Sequence, residues 1–138
     1  MKKTIVACIL AMLLALSACG SATANEDNIL VISERFFVAR FTDILANTDR
    51  YLGYTIQFEG LFLSGRFGGE TFYMVIRYIL GCCTIDPIGL EVLLEDFAPL
   101  ADETWVEVTG VLEELDGFLV LRATSLIELS EQGAAFIQ

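Results

Sequence analysis

The sequence predicts a small, mainly β domain behind a single helix, on three observations. From residue 54 onward apolar residues recur with a period of two, as in a strand with one buried face. Between residues 34 and 47 the period is instead that of a helix. Glycine-marked turns then divide the remaining chain into five extended runs.

The elements follow in order. Residues 28–32 form a brief apolar lead-in. Ser33 is placed to cap a helix, with Glu34 in its first turn, where an acid favours the helix dipole. Phe37, Phe41, Ile44 and Leu45 share one face while Arg40, Asp43 and Asn47 take the other, giving a helix over about residues 34–47. Asn47, Thr48 and Asp49 break it, and Gly53 opens the sheet. Tyr54, Ile56 and Phe58 alternate with Thr55, Gln57 and Glu59 in a half-buried strand. Gly60 interrupts it and Leu61 and Leu63 continue in shifted register, which predicts a bulge or bend.

Gly65, Gly68 and Gly69 make the next turn. Residues 70–80 are apolar on both faces apart from Arg77, the pattern of a central, covered strand. Leu90, Val92 and Leu94 alternate with Glu91, Leu93 and Glu95. Residues 96–103, with Pro99, read as a loop or a single helical turn. Residues 105–115 put Val106, Val108 and Leu112 on one face, and Asp116-Gly117 is a two-residue hairpin turn. Residues 118–129 make the last strand, bent near 123–125, and the tail from Glu131 reads as frayed. Five coiled strands of this length fit a partly open barrel of the OB type with a helix in front; a five-stranded sandwich is the alternative.

The first 18 residues read as an address. Lys2 and Lys3 precede an apolar run too short to span a membrane comfortably, and Leu16-Ser17-Ala18-Cys19 follows. Small residues before a cysteine at that place predict a bacterial lipoprotein signal, with Cys19 lipidated and made the new amino terminus. Residues 1–18 are then the signal, 19–28 the lipidated cysteine and its tether, and 29–138 one OB-like domain. This places the protein on the extracytoplasmic face of a bacterial membrane. Cleavage removes both lysines, so six arginines remain against 19 acids and the net charge goes from −11 to −13. That balance repels phosphate backbones, which excludes a nucleic-acid binder, and also anionic headgroups. There is no histidine, which excludes Ser-His-Asp and Cys-His nucleophiles and any zinc site needing imidazole.

The richest chemistry lies in residues 77–89, R-Y-I-L-G-C-C-T-I-D-P-I-G. Cys82 and Cys83 as thiolates, with the Asp86 carboxylate, offer an incomplete shell for zinc or another thiophilic metal. Adjacent cysteines on a regular strand point to opposite faces, so they converge only in an irregular segment, which Gly81 and Pro87 permit. Arg77 would be the electrostatic partner that lowers the thiol pKa values. Two other readings stand beside this one. The pair is a redox couple, since adjacent cysteines close a strained, easily reduced ring. Or both thiols are buried apolar groups at a strand end, with Arg77 paired to a distant acid. Glu113, Glu114 and Asp116, like Glu95, Asp96, Asp102 and Glu103, read as solvated acidic faces.

Several of these segments together carry a resemblance. They are Tyr51-Leu52-Gly53-Tyr54 after the helix, Phe58-Glu59-Gly60, and Arg77 ahead of Cys82-Cys83-Thr84-Ile85-Asp86. Trp105-Val106 with Val108 and Gly110 completes the set. On them the chain resembles the C-terminal extracytoplasmic domain, without assigned function, of a bacterial permease-subunit family. Ile85 and Pro87 stand where that family has small residues, and a lipoprotein signal replaces its membrane helices. The resemblance implies a non-enzymatic accessory or binding subunit of an envelope permease or metal-handling system, with an integral-membrane permease as partner. An extracytoplasmic thiol redox protein and a structural adaptor without a metal site are the competing expectations.

Overall fold

The computed structural model describes residues 28–81 and 83–137. The signal, the tether, Cys19 and Cys82 lie outside the described residues. Strand β1 (Ile29–Ile32) leads through a 3-10 turn (Glu34–Phe36) into α1 (Phe37–Ala46) and the short α2 (Thr48–Tyr51). Then come β2 (Thr55–Phe67), β3 (Glu70–Leu80), β4 (Ile85–Leu93), β5 (Thr104–Leu115), β6 (Phe118–Glu128) and β7 (Phe136–Ile137). The helical segment thus opens as a 3-10 turn. Ser33 makes no side-chain cap.

Of the face predicted for α1, Phe37, Phe41 and Ile44 are fully buried, four and three residues apart as the helical repeat requires, whereas Leu45 is 55% exposed. The Phe41 ring stands edge-on to Phe58 of β2 at 5.1 Å, with Phe37 and Phe41 at 4.6 Å, geometry that aromatic quadrupoles favour. Asn47 ends the helix, its N–H on the Asp43 carbonyl and its Nδ2 on Asp43 Oδ1 at 2.8 Å. Gly53, at φ +82°, reverses the chain and donates its N–H to the Leu112 carbonyl.

Strands β2 to β6 close a ring in the order β2-β5-β6-β4-β3, with β2 paired back to β3. Every pair is antiparallel except β4–β6. Stepping from Leu63 through Met74, Glu91, Val120 and Glu113 returns to β2 level with Gly53, ten residues short of the start. Such a stagger tilts and coils the strands, the geometry of a small closed sheet. Five strands in this connectivity are the OB-like arrangement that the sequence predicts. The interior is filled from all five: Ile56, Phe58, Phe62, Val75, Leu90, Val92, Val106, Val108, Leu112, Leu121 and Ala123. Both hairpin turns have positive φ at their two central residues, Gly68-Gly69 and Asp116-Gly117, the twist that matches paired strands. The bend foreseen near residues 123–125 is a register shift, with Thr109 opposite Ser125 and Gly110 opposite Ala123.

Three expectations are corrected. No bulge falls at Gly60: the β2–β5 ladder runs unbroken from Thr55 to Phe62, and Phe62, not Leu61 or Leu63, continues the inward face. Glycine is needed there for another reason. A Cβ at residue 60 would lie 2.6 Å from the Ile76 carbonyl oxygen and 3.0 Å from Val75 Cγ1. Second, the ring is joined by two more short strands, β1 parallel to β2 and β7 parallel to β3, giving seven among the described residues. Third, the tail is docked, not frayed. The Tyr78 N–H donates to the Ala135 carbonyl at 2.7 Å, Ile137 is buried, and Phe136 stacks on Tyr78.

The reason for the two added strands lies in how the ring closes. Strands β2 and β3 are paired only from Leu61/Ile76 to Phe67/Glu70 and part beyond that point. Parted strands bare main-chain N–H and C=O groups that must find partners. Strand β1 takes up the freed stretch of β2, residues 55–58, and β7 takes up Tyr78 and Ile79 of β3.

Candidate functional site

Strand β3 carries the chemistry singled out in the sequence, and it separates that chemistry into two places. Val75, Arg77 and Ile79 share the inward face of the strand, and Val75 and Ile79 pack in the core. Arg77 therefore enters the interior one residue past Ile76, where β3 leaves β2. It is 1% exposed, the one buried charged residue among those described.

A guanidinium out of water must be bonded on several sides. Arg77 Nε donates to the Glu59 carbonyl at 2.8 Å, which serves a β2 group that β3 no longer reaches. Nη1 donates to Glu34 Oε2 and to the Ala134 carbonyl, each at 3.3 Å. Glu34 Oε2 also accepts the Ala134 N–H, so the 3-10 turn and the tail are tied to the same point. The Glu59 carboxylate lies 3.9 Å from Nη2 and accepts the Trp105 indole N–H at 3.3 Å. The guanidinium carbon sits 4.8 Å from the Phe37 ring centre and 4.9 Å from that of Trp105, within cation–π reach of both. Burial lowers the Arg77 pKa, an effect opposed by the hydrogen bond to and charge of Glu34 and by the charge of Glu59.

The donors of Arg77 go to Glu34, Glu59 and Ala134, because an inward-facing strand position points a side chain into the ring. A distant acid as partner of Arg77 is part of the third reading of this stretch, and Glu34 and Glu59 are such acids; the Ala134 carbonyl is not anticipated by any of the three. A lone charge in the apolar run of residues 72–80 was the available signal that partners must exist.

The second place is the β3–β4 turn. Leu80 pairs with Ile85, and the Gly81 N–H bonds to the Thr84 carbonyl at 2.9 Å, closing a tight loop. Cys83, Thr84 and Asp86 are all exposed there. Thr84 Oγ1 donates to Asp86 Oδ2 at 2.9 Å, which fixes the carboxylate over the turn. Of the three residues expected to ligate a metal, Cys83 and Asp86 are thus at one loop, while Cys82 lies outside the described residues. Among the described residues no three His, Cys, Asp or Glu side chains come together as a shell. Two donors do not complete the four-coordinate shell of a structural zinc.

The acidic faces prove partly committed. Arg122 makes a two-pronged bond to Glu113, Nε to Oε1 at 3.0 Å and Nη2 to Oε2 at 2.9 Å, and also bonds Glu95. The hydrogen bond from Arg122 holds the Glu113 carboxyl below the usual range. On the helix, Asp43 accepts the Tyr51 hydroxyl, which lowers the Asp43 pKa and raises that of Tyr51.

Fold and site together define a small OB-like domain whose split ring is pinned by a buried arginine and which exposes a cysteine-bearing hairpin loop. The chain belongs to the DUF1980 C-terminal domain family, whose model matches residues 17–132. No curated protein matches it. Among solved structures, the dimeric N-terminal domain of PriB protein from Thermoanaerobacter tencongensis is similar over 56% of this chain and 97% of its own. The identity is 20% and the TM-score 0.35.

Proposed function

We propose that this chain is a lipid-anchored accessory domain of an envelope permease that acts by binding and performs no catalysis. The observation that carries this reading is the direction of the exposed loop. Strand β1 runs parallel to β2 and begins opposite Thr55, while β3 runs antiparallel to β2. The chain therefore enters the domain at the end of the ring where the β3–β4 loop presents Cys83, Thr84 and Asp86. A lipid at Cys19 would hold that loop toward the membrane and toward an integral-membrane partner. No described helix is long and apolar enough to cross a membrane, so on this reading the lipid supplies the attachment. Replacing Cys19→Ala should release the protein from the membrane fraction or leave it unprocessed. A variant that stays membrane-bound with its signal removed would overturn the anchor.

The exposure of Cys83 favours a metal-handling role as the finer reading. Cys82, Cys83 and Asp86 would supply up to three donors to zinc or another thiophilic ion, and a partner or water the fourth. Zinc titration of the parent and of Cys82→Ser decides between this and a plain adaptor: equal, negligible binding by both removes the metal.

A further inference from the structure

We infer that the outer face of the β3–β4 hairpin is a membrane-surface contact, which lays one end of the ring against the lipid bilayer. The inference rests on the lipid-anchored reading above and deepens it by naming what that end of the domain meets.

Residues directly opposite one another on paired strands share a face. Leu80 is opposite Ile85, Tyr78 is opposite Pro87, and Tyr78 is again opposite Phe136 of β7, with the two rings stacked at 5.3 Å. Since Val75, Arg77 and Ile79 point inward, these five point outward. Leu80, Ile85 and Phe136 are 42%, 59% and 52% exposed, so the five form one apolar strip in water. None of them is charged. Asp86 pairs with Ile79, takes the other face, and is bonded by Thr84.

Two observations select a bilayer as the occupant. The first is reach. Ile29 lies ten chain steps after Cys19, a span of at most about 35 Å when fully extended. Because β1 starts at the hairpin end of the ring, this tether lets that end of the ring reach the lipid surface. The second is charge. On a mature chain of six arginines against 19 acids, net charge −13, an uncharged strip is the surface that approaches anionic headgroups with least repulsion. Its mixture of Tyr, Phe, Leu and Ile is that of side chains that settle at the headgroup boundary. The other hairpin tip at this end offers Leu115 and Phe118 but carries Glu114 and Asp116, which keep it in water.

The test uses the full lipidated chain in vesicles of phosphatidylethanolamine and phosphatidylglycerol, with and without brominated acyl chains. The probe variants are Trp105→Phe with Ile85→Trp, and Trp105→Phe with Phe67→Trp at the far end. The indole at position 85 should lose most of its fluorescence in brominated vesicles, and that at position 67 should keep it. Vesicle sedimentation without quenching at position 85 overturns the contact and leaves the anchor standing. Failure to sediment at all overturns the anchor and the contact with it. An indole at position 85 shielded from aqueous iodide yet untouched by bromine means a protein covers the strip, which also overturns the inference. Amide exchange on the unsubstituted chain guards against misfolded variants. Membrane attachment should slow exchange in residues 78–87 relative to Cys19→Ala in solution, and equal exchange refutes the contact.

Discussion

Replacing Arg77→Met removes the charge at the centre of the split ring while keeping a stem of similar length. Buried ion pairs are often replaced by apolar groups at no cost, but only when every partner is replaced too. Here two of the acceptors are the main-chain carbonyls of Glu59 and Ala134, which no side-chain change deletes. The two carboxylates weigh less: their side chains are 55% and 43% exposed and regain water readily. A buried acceptor left bare costs about 1–3 kcal/mol. Each lost ring contact of a desolvated cation adds about 0.5–2 kcal/mol. Relief of the arginine's own desolvation offsets part of this, so the expected net loss is about 2–4 kcal/mol. Urea unfolding followed by the fluorescence of Trp105, the single tryptophan and a direct neighbour of the guanidinium, measures it. A loss below about 0.5 kcal/mol would mean the carbonyls find water or other donors, and that Arg77 does not pin the ring.

Gly60→Val should lower stability by about 1–3 kcal/mol, since the Ile76 carbonyl belongs to the neighbouring strand and cannot withdraw. An unchanged urea midpoint would show that β2 and β3 separate easily. Stability should also depend on pH on the acid side. Asp43 and Glu113 have folded pKa values below their ordinary 3.8 and 4.5, so their contribution is complete above those values and is lost as pH falls through the lowered ones. Urea midpoints should be level from neutral pH down to about 5 and drop below about 4, and Glu113→Gln should flatten that drop. The same drop in both proteins would remove Glu113 from the account.

The sequence was most legible where a single periodicity decided the outcome. The inward sets of α1 and β5, the two glycine-bearing hairpins and the ring of five strands all follow from local pattern and turn chemistry. It was least legible where distant segments meet. Nothing near Glu131 shows that Ala134 will accept a bond from Arg77, 57 residues earlier. The shift of apolar residues to Leu61 and Leu63 reads as a bulge, yet the β2–β5 register is unbroken and Phe62 keeps the inward face. At the cysteine loop, residue order correctly suggested an irregular turn after Gly81. The side to which Arg77 points depended on strand parity, and that parity places it in the core.

The way the ring is closed also sets an order of events for the chain. Glu34 and Ala134 are joined across 100 residues, and the arginine between them belongs to neither end. A contact between such remote segments carries a large loop-closure cost and does not precede the local hairpins. As the polypeptide is made from its amino end, the five-stranded ring has all its strands before the final clasp exists. Until residues 134–137 have emerged, the parted edge of β3 lacks its partner. Completion of the fold thus waits for residues 134–137, which act as its latch.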